Sequence, residues 1–325
     1  MKRMKYREAL RDGIREEMER DPSVFCIGEG IGKRGGSYKV TEGLFGQFGP
    51  TRVIDTPISE ASFVGMAVGA ALVGMHPIAE ILFVDFALLA MDQIINQGAK
   101  YQFMSGGQGT VPLVLRTQGG SGNGLAGQHS QSLEALFYHI PGLTLVMPST
   151  PYDAKGLLKS AVRHGSPVVF LEHKLLYMTE GDLPEDEYLI PIGEAEVKRE
   201  GRDVTIVTYS YMTLECMRAA ELLAQDGVEV EIVDLRTLVP LDKRRIVESV
   251  KKTGKLVVVS EACKRGCVGS DIIAEIVEVA FDYLDAPPRR VAGKNTTIPF
   301  NLELEKMCVP SVEEIADTVR ALVER

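Results

Sequence analysis

Three residues stand where proton chemistry could be done. In Asp55-Thr-Pro-Ile-Ser-Glu60, Pro57 stiffens a strand exit, Ser59 is an N-cap candidate and Glu60 falls in the first turn of the next helix. No charged residue follows Glu60 for 19 positions. It reads either as a first-turn carboxylate favoured by the helix dipole, or as a desolvated carboxyl of raised pKa that shares a proton with a ligand nitrogen. Glu29 is a carboxylate at the C-terminal end of a short apolar strand, the edge at which open α/β sheets bind ligands. His129 follows five glycines in Gly119-Gly-Ser-Gly-Asn-Gly-Leu-Ala-Gly-Gln-His129-Ser. Such a loop is costly to order, and its histidine titrates near neutrality, so it reads as an acid or base for a small substrate or as an exposed loop histidine.

Other patterns carry less. Gly30-Ile-Gly32-Lys-Arg-Gly35 has dinucleotide-binding spacing, with Asp55 further on, but that chemistry needs a helix opening on the glycines and none is expected before Thr41. Cys263 and Cys267 lack a second pair at zinc spacing, and neither G-x-S-x-G nor G-x-x-x-x-G-K-[ST] occurs. Phe83-Val-Asp-Phe86 reads as core at a strand end.

The elements that must position these residues alternate. Strands are expected at 24–27, 52–54, 77–83, 111–115, 143–146 and 167–171, with helices at 6–20, 59–74, 86–104, 130–138 and 152–163. Strands apolar throughout imply a parallel sheet covered on both faces, an α/β architecture. Residues 173–203, with Glu180-Gly-Asp-Leu-Pro-Glu-Asp-Glu187, read as a solvated linker or crossover. The alternation then restarts: strands 204–208, 229–233, 255–260 and 289–292, helices 212–225, 242–252, 269–281 and 311–324. A larger domain at 1–190 and a smaller one at 200–325 are therefore expected.

Composition narrows the class. With 36 Lys+Arg and 45 Asp+Glu the net charge is −9, which argues against a general nucleic-acid or anionic-membrane surface. The uncharged run Ala61–Ala79 contains glycines and is split by Pro77, so it reads as buried core rather than a membrane span. Five scattered cysteines and a charged start without an apolar region read as a cytoplasmic enzyme with reduced thiols and no signal peptide.

Several segments together resemble one family in order and spacing. They are Gly28-Glu29-Gly30, Asp55–Glu60, Glu80-Ile-Leu-Phe-Val-Asp-Phe86, Phe103-Met-Ser-Gly-Gly107, Gln128-His-Ser-Gln131, Pro151-Tyr-Asp-Ala-Lys-Gly156, Asp234-Leu-Arg-Thr-Leu238 and Val258-Val-Ser-Glu261. The chain resembles the beta subunits of thiamine-diphosphate-dependent 2-oxo acid dehydrogenases: the pyruvate, branched-chain and acetoin enzymes. The resemblance implies a transketolase-like fold, with a pyrimidine-binding domain followed by a transketolase C-terminal domain. It implies that Glu60 hydrogen-bonds N1′ of the cofactor's aminopyrimidine and so assists proton removal from the thiazolium C2. It implies that Phe86 packs on the pyrimidine with Leu82 and Phe83 beside it, and that Glu29, Ile58 and Ser59 line the cofactor. His129 would face the substrate, also bordered by Phe83 and Phe86, and help pass the acyl group to a lipoyl arm. A potassium ion held by backbone carbonyls is implied at Leu113, Ala161, Val162, His164 and Ser166, although relatives commonly have Asp and Asn at the last two.

The diphosphate half of such a site needs a G-D-G segment for its divalent cation, and this chain contains none. The resemblance therefore implies an alpha subunit that holds Mg²⁺ and the diphosphate in an α2β2 heterotetramer, and a lipoyl-bearing transacylase core as acyl acceptor. Pyruvate is the expected substrate, on Phe86; Phe83-Val-Asp-Phe86 and Ile140-Pro-Gly-Leu143 also resemble the acetoin branch. Rival readings are a non-catalytic assembly subunit and an NAD-binding enzyme built on the 30–35 loop. Gly65-x-x-x-Gly69 would allow close helix packing, within the chain or at a subunit interface.

Overall fold

A computed structural model describes residues 1–324, which form two compact units. The first comprises Met1–Gly119 with Leu136–Ile192; the second comprises Gly120–Ala135 and the chain from Gly193 onward. The glycine loop thus belongs with the second unit, an assignment that contiguous boundaries do not give.

The first unit begins β1 (Lys2–Lys5), α1 (Tyr6–Arg20), β2 (Val24–Glu29), α2 (Leu44–Phe48), β3 (Val53–Thr56), α3 (Glu60–Leu72) and β4 (His76–Ile81). It continues with α4 (Val84–Ala87), α5 (Ala99–Met104) and β5 (Val114–Gly119). After the glycine loop and α6 (Glu134–Tyr138) come β6 (Thr144–Val146), α7 (Pro151–Val162), β7 (Val168–His173) and β8 (Glu180–Leu183). Its six parallel strands lie in the order β6-β7-β5-β4-β2-β3. Strands β4, β5 and β7 are buried almost end to end, because helices cover both faces. The chain passes from β2 outward to β3, then returns to the other side of β2 as β4. That reversal leaves a crevice beyond the C-terminal ends of β2 and β4, the usual ligand site of an open α/β sheet.

Two expectations need correcting here. Residues 86–104 do not form one helix. A 3₁₀ turn at Leu88–Ala90 and a π-helical segment at Gln93–Gly98 separate α4 from α5. Within this bend Gln93 packs on α3, its Oε1 3.2 Å from where a Cβ on Gly65 would lie. Gly65 is therefore used inside the chain, whereas nothing lies within 4 Å of a Cβ on Gly69. Residues 173–203 are not simply a linker: β8 pairs antiparallel with β1, Lys2 opposite Leu183 and Lys5 opposite Glu180. These strands are mostly exposed and highly charged, so their ladder is backbone pairing that hydrophobic patterning does not reveal.

The second unit contains β9 (Glu196–Arg199), β10 (Val204–Thr208), α8 (Met212–Gln225), β11 (Val230–Asp234), β12 (Thr237–Val239) and α9 (Lys243–Thr253). Then follow β13 (Leu256–Cys263), α10 (Val268–Ala280), β14 (Arg289–Gly293), α11 (Leu302–Lys306) and α12 (Val312–Val323). The sheet order is β14-β13-β10-β11-β9, parallel except for β9, which adds an antiparallel edge from within the expected linker. Val204, Ile206, Ile232, Val257 and Val259 of the sheet pack with Cys216, Leu223, Ile315 and Val319 of α8 and α12 in one core. Side-chain caps at Asp242 and Ser311 satisfy the first free N–H groups of α9 and α12.

Candidate active site

Three carboxyl groups gather at the crevice of the first unit. Glu60 opens α3 and is only 5% exposed. Ser59 occupies the N-cap position but does not cap with its side chain; its hydroxyl donates to Ser62 Oγ at 2.7 Å. The helix starts instead on the Ser59 carbonyl, which accepts the N–H groups of Ser62 and Phe63. Glu29 ends β2, and burial, then the charge and hydrogen bond of Glu60, then the charge of Glu80, push its carboxyl up to about 7. Its Oε1 is buried without a hydrogen-bond partner. Glu29 therefore keeps its proton to higher pH than an ordinary carboxyl, beside the buried Glu60.

Behind them lies a buried ion network absent from the sequence expectations. Glu80 on β4 accepts from Arg116 Nη1 at 2.6 Å. Arg116 on β5 also donates to both carboxylate oxygens of Glu172 on β7, at 2.7 and 2.8 Å, and is 1% exposed. Tyr177 donates to Glu172 Oε2 at 2.6 Å. Burial opposes the charge of Arg116, but Glu172 and Glu80 outweigh it and hold the guanidinium more firmly protonated than usual. A single arginine closing an apolar strand, with a glutamate closing a neighbouring one, was the available signal; strand adjacency converts it into a contact.

An aromatic wall joins this network. The rings of Phe83 and Phe86 meet edge to face with centroids 6.0 Å apart. Tyr38 meets Phe83 edge-on at 6.4 Å and stacks on Tyr177 at 4.7 Å, while Lys174 Nζ lies 5.5 Å over Phe83. Leu82 is half-buried, and Ile58 and Ser59 are exposed. The structure thus brings together Glu29, Glu60 and Glu80, and separately pairs Phe83 with Phe86.

The dinucleotide pattern does not become a dinucleotide site. Gly32 N donates to Asp55 Oδ1 at 3.0 Å, so the loop itself uses the acidic residue. The next helix is α2, starting at Leu44, and no helix opens on the glycines.

His129 lies in the second unit, half-buried, and its N–H donates to the Ala126 carbonyl. The following helix begins at Glu134 rather than at 130, because Gln131 is held in the loop, its carbonyl accepting Gly120 N at 3.0 Å. A cavity of about 610 Å³ borders the loop, lined by Ser130, Ser132, Arg265, Lys294 and Asn295 among others.

Of the carbonyl positions, Ala161 and Val162 form the last turn of α7, where carbonyls lack intrahelical partners. The Ala161 carbonyl accepts His164 N at 3.1 Å and the Leu113 carbonyl accepts Val168 N at 2.8 Å. Burial lowers the pKa of His164, and Ser166 Oγ donates to Gln102 Oε1 at 3.3 Å.

Comparison with known proteins agrees with this architecture. Residues 2–180 match the family described as transketolase, pyrimidine binding domain, and residues 193–315 match transketolase, C-terminal domain. The chain is 48% identical over 316 residues to a pyruvate dehydrogenase E1 component subunit beta from Gracilaria tenuistipitata var. liui, covering 97% of this chain and 98% of that one. It is 47% identical over 329 residues to the acetoin:2,6-dichlorophenolindophenol oxidoreductase subunit beta of Cupriavidus necator, covering 98% and 97%. A solved split-gene transketolase, described as an inactive beta4 tetramer, shares the fold with a TM-score of 0.80 at 23% identity, covering 98% of each chain. The chain therefore belongs to the transketolase-like family, among the beta subunits of thiamine-diphosphate-dependent 2-oxo acid dehydrogenases.

Proposed function

We propose that the chain is the beta subunit of the decarboxylating component of a 2-oxo acid dehydrogenase complex, acting on pyruvate with thiamine diphosphate and passing the acyl group to a lipoyl transacylase. The observation that carries this reading is the buried Glu60 carboxyl at the start of α3, hydrogen-bonded to a Glu29 whose pKa is raised to about 7. Glu29 keeps its proton to higher pH than an ordinary carboxyl at this sheet crevice, and its unpartnered buried Oε1 is suited to a ligand donor. These features fit the aminopyrimidine end of the cofactor, with Ile58, Ser59 and Leu82 bordering it and Phe83 and Phe86 offering ring faces.

When bound, thiamine diphosphate supplies the electron sink for decarboxylation. Glu60 would present its carboxyl to the aminopyrimidine N1′, with Glu29, whose pKa is raised to about 7, beside it. Phe83 and Phe86 would exclude water and orient the ring. His129 moves a proton at the substrate and assists acyl transfer to the lipoyl sulfur.

The missing G-D-G segment supports an alpha subunit that holds Mg²⁺ and the diphosphate. Exposed apolar side chains, among them Ile58 at 81% and Phe103 at 89%, support burial against such a partner in an α2β2 heterotetramer. The net charge of −9 suits docking to a basic region of the transacylase core. The carbonyls at Leu113, Ala161, Val162, His164 and Ser166 would hold potassium. Unpaired cysteines, and the absence of any described helix long and apolar enough to cross a membrane, support a cytoplasmic setting.

The test is to co-purify the chain with a G-D-G-containing partner and assay 2-oxo acid-dependent dye reduction with thiamine diphosphate and Mg²⁺. Replacing Glu60 with Ala should lower the rate about 10²–10⁴-fold. Full activity of that variant would overturn the assignment. Pyruvate, acetoin and branched 2-oxo acids compared side by side identify the substrate; the identity to an acetoin enzyme's beta subunit makes acetoin the second reading.

A further inference from the structure

We infer that Glu305 and Glu261 are positioning residues that fix the glycine loop carrying His129. The inference rests on the proposed role of His129 for its kinetic consequence, but its structural basis is independent. The loop contains left-handed backbone at Gly120, Gly122 and Gly124, and at the non-glycine Ala126 with φ 62°. Such a segment loses much conformational freedom when it is held in one shape. On one side lies the cavity of about 610 Å³, so packing alone does not confine it.

Two carboxylates from elsewhere in the second unit do. Glu261 Oε1, on β13, accepts Ser121 N at 2.7 Å and Ser132 Oγ at 3.2 Å, closing the neck of the loop from both ends. Glu305, on α11, accepts Gly122 N through Oε1 at 2.9 Å and Gly124 N through Oε2 at 2.8 Å. Glu305 is 1% exposed and has no ion-pair partner among the described residues. A buried carboxylate without a cation requires charge-assisted N–H donors, and here the loop backbone provides them. The dependence is mutual: the loop needs the carboxylate to hold its shape, and the carboxylate needs the loop to remain buried. His129 lies between the Glu305 anchor at Gly124 and the Glu261 anchor at Ser132. A Cβ on Gly127 would lie 2.3 Å from Thr297 Cγ2, so the loop also approaches the chain that leads into α11.

The test uses the complex assembled with its alpha partner and compares Glu305→Ala, Glu305→Gln, Glu261→Gln, His129→Ala and the double variant His129→Ala/Glu305→Ala. Dye-linked decarboxylation and reductive acylation of a free lipoyl domain are measured separately. Amide hydrogen exchange is followed across residues 120–132. Glu305→Ala should slow lipoyl acylation about tenfold or more while changing dye-linked decarboxylation less than about threefold. Glu305→Gln, which keeps one acceptor oxygen, should fall between it and the unaltered complex. The double variant should acylate no more slowly than His129→Ala alone, as expected if Glu305 acts through His129. Loop exchange should quicken in both Glu305 variants and in Glu261→Gln.

Unchanged loop exchange in correctly assembled Glu305→Gln would overturn the inference, as would multiplying defects in the double variant. If His129→Ala were fully active in both assays, the proposed role of His129 would fail. Faster loop exchange in the Glu305 variants would even then sustain the positioning contact.

Discussion

Arg116 and Glu80 face each other in register across β5 and β4 and are joined Nη1 to Oε2 at 2.6 Å. The pair connects two parts of the first unit that are remote in sequence: the carboxyl cluster at the crevice and the aromatic wall that ends on Tyr177. Arg116 grips Glu172 with its other edge, and Glu172 accepts from Tyr177. The charge of Glu80 in turn helps raise the pKa of Glu29.

Removing the guanidinium should therefore be costly. Arg116→Ala leaves two buried carboxylates without a cation and is expected to destabilise the chain by about 3–5 kcal/mol. Arg116→Lys keeps the charge but not the two-pronged contact with Glu172, and should retain only part of that stability. Urea unfolding followed by circular dichroism measures both; a loss below about 1 kcal/mol for Arg116→Ala would contradict the network.

Glu29 should confer a pH dependence on stability of a defined sign. Its carboxyl binds a proton more tightly when folded, at about 7, than in the ordinary state at 4.5. Its stabilising contribution is thus fully present below pH 4.5 and is lost as the pH rises through about 7. Glu29→Gln removes this titration. The difference in Tm between variant and unaltered chain should move in the variant's favour between about pH 5 and pH 8, and an unchanged difference would refute the raised pKa.

Gly28 should resist substitution for a steric reason. It faces Glu80 in the ladder of β2 and β4, and a Cβ there would lie 2.5 Å from the Glu80 carbonyl oxygen. Backbone cannot yield as a flexible side chain can. Gly28→Ala is expected to cost about 1–3 kcal/mol and to shift Glu80 relative to Glu29. A variant as stable as the parent in thermal unfolding would show that the strands can separate without penalty.

Assembly should depend on apolar side chains that do little for the isolated chain. Phe103 and Met104, at the end of α5, are 89% and 75% exposed. Phe103→Asp should alter the stability of the isolated chain by no more than about 0.5 kcal/mol. It should weaken co-purification with the alpha partner, seen as a shift from tetramer to free chain in size-exclusion chromatography. Undiminished assembly would remove α5 from the proposed interface.

The sequence alone determined much of this protein. The alternation of apolar runs with 3.6-residue spacing identified a parallel α/β fold, because strands buried on both faces must be apolar throughout. Glu60 could be singled out because it alone carries charge ahead of a long uncharged stretch, and His129 because glycines crowd the loop before it. What the sequence could not determine was every relationship that depends on which strands are neighbours. Arg116, Glu80 and Glu172 are separated by tens of residues and meet because β4, β5 and β7 adjoin. The charged strands β1, β8 and β9 pair through their backbones, which leaves no hydrophobic pattern to read. Local spacing encodes burial, but electrostatics depends on distance in space. That is why Glu29 could be recognised as a carboxylate at a strand end, whereas its raised pKa was decided only when folding buried it and brought Glu60 and Glu80 beside it.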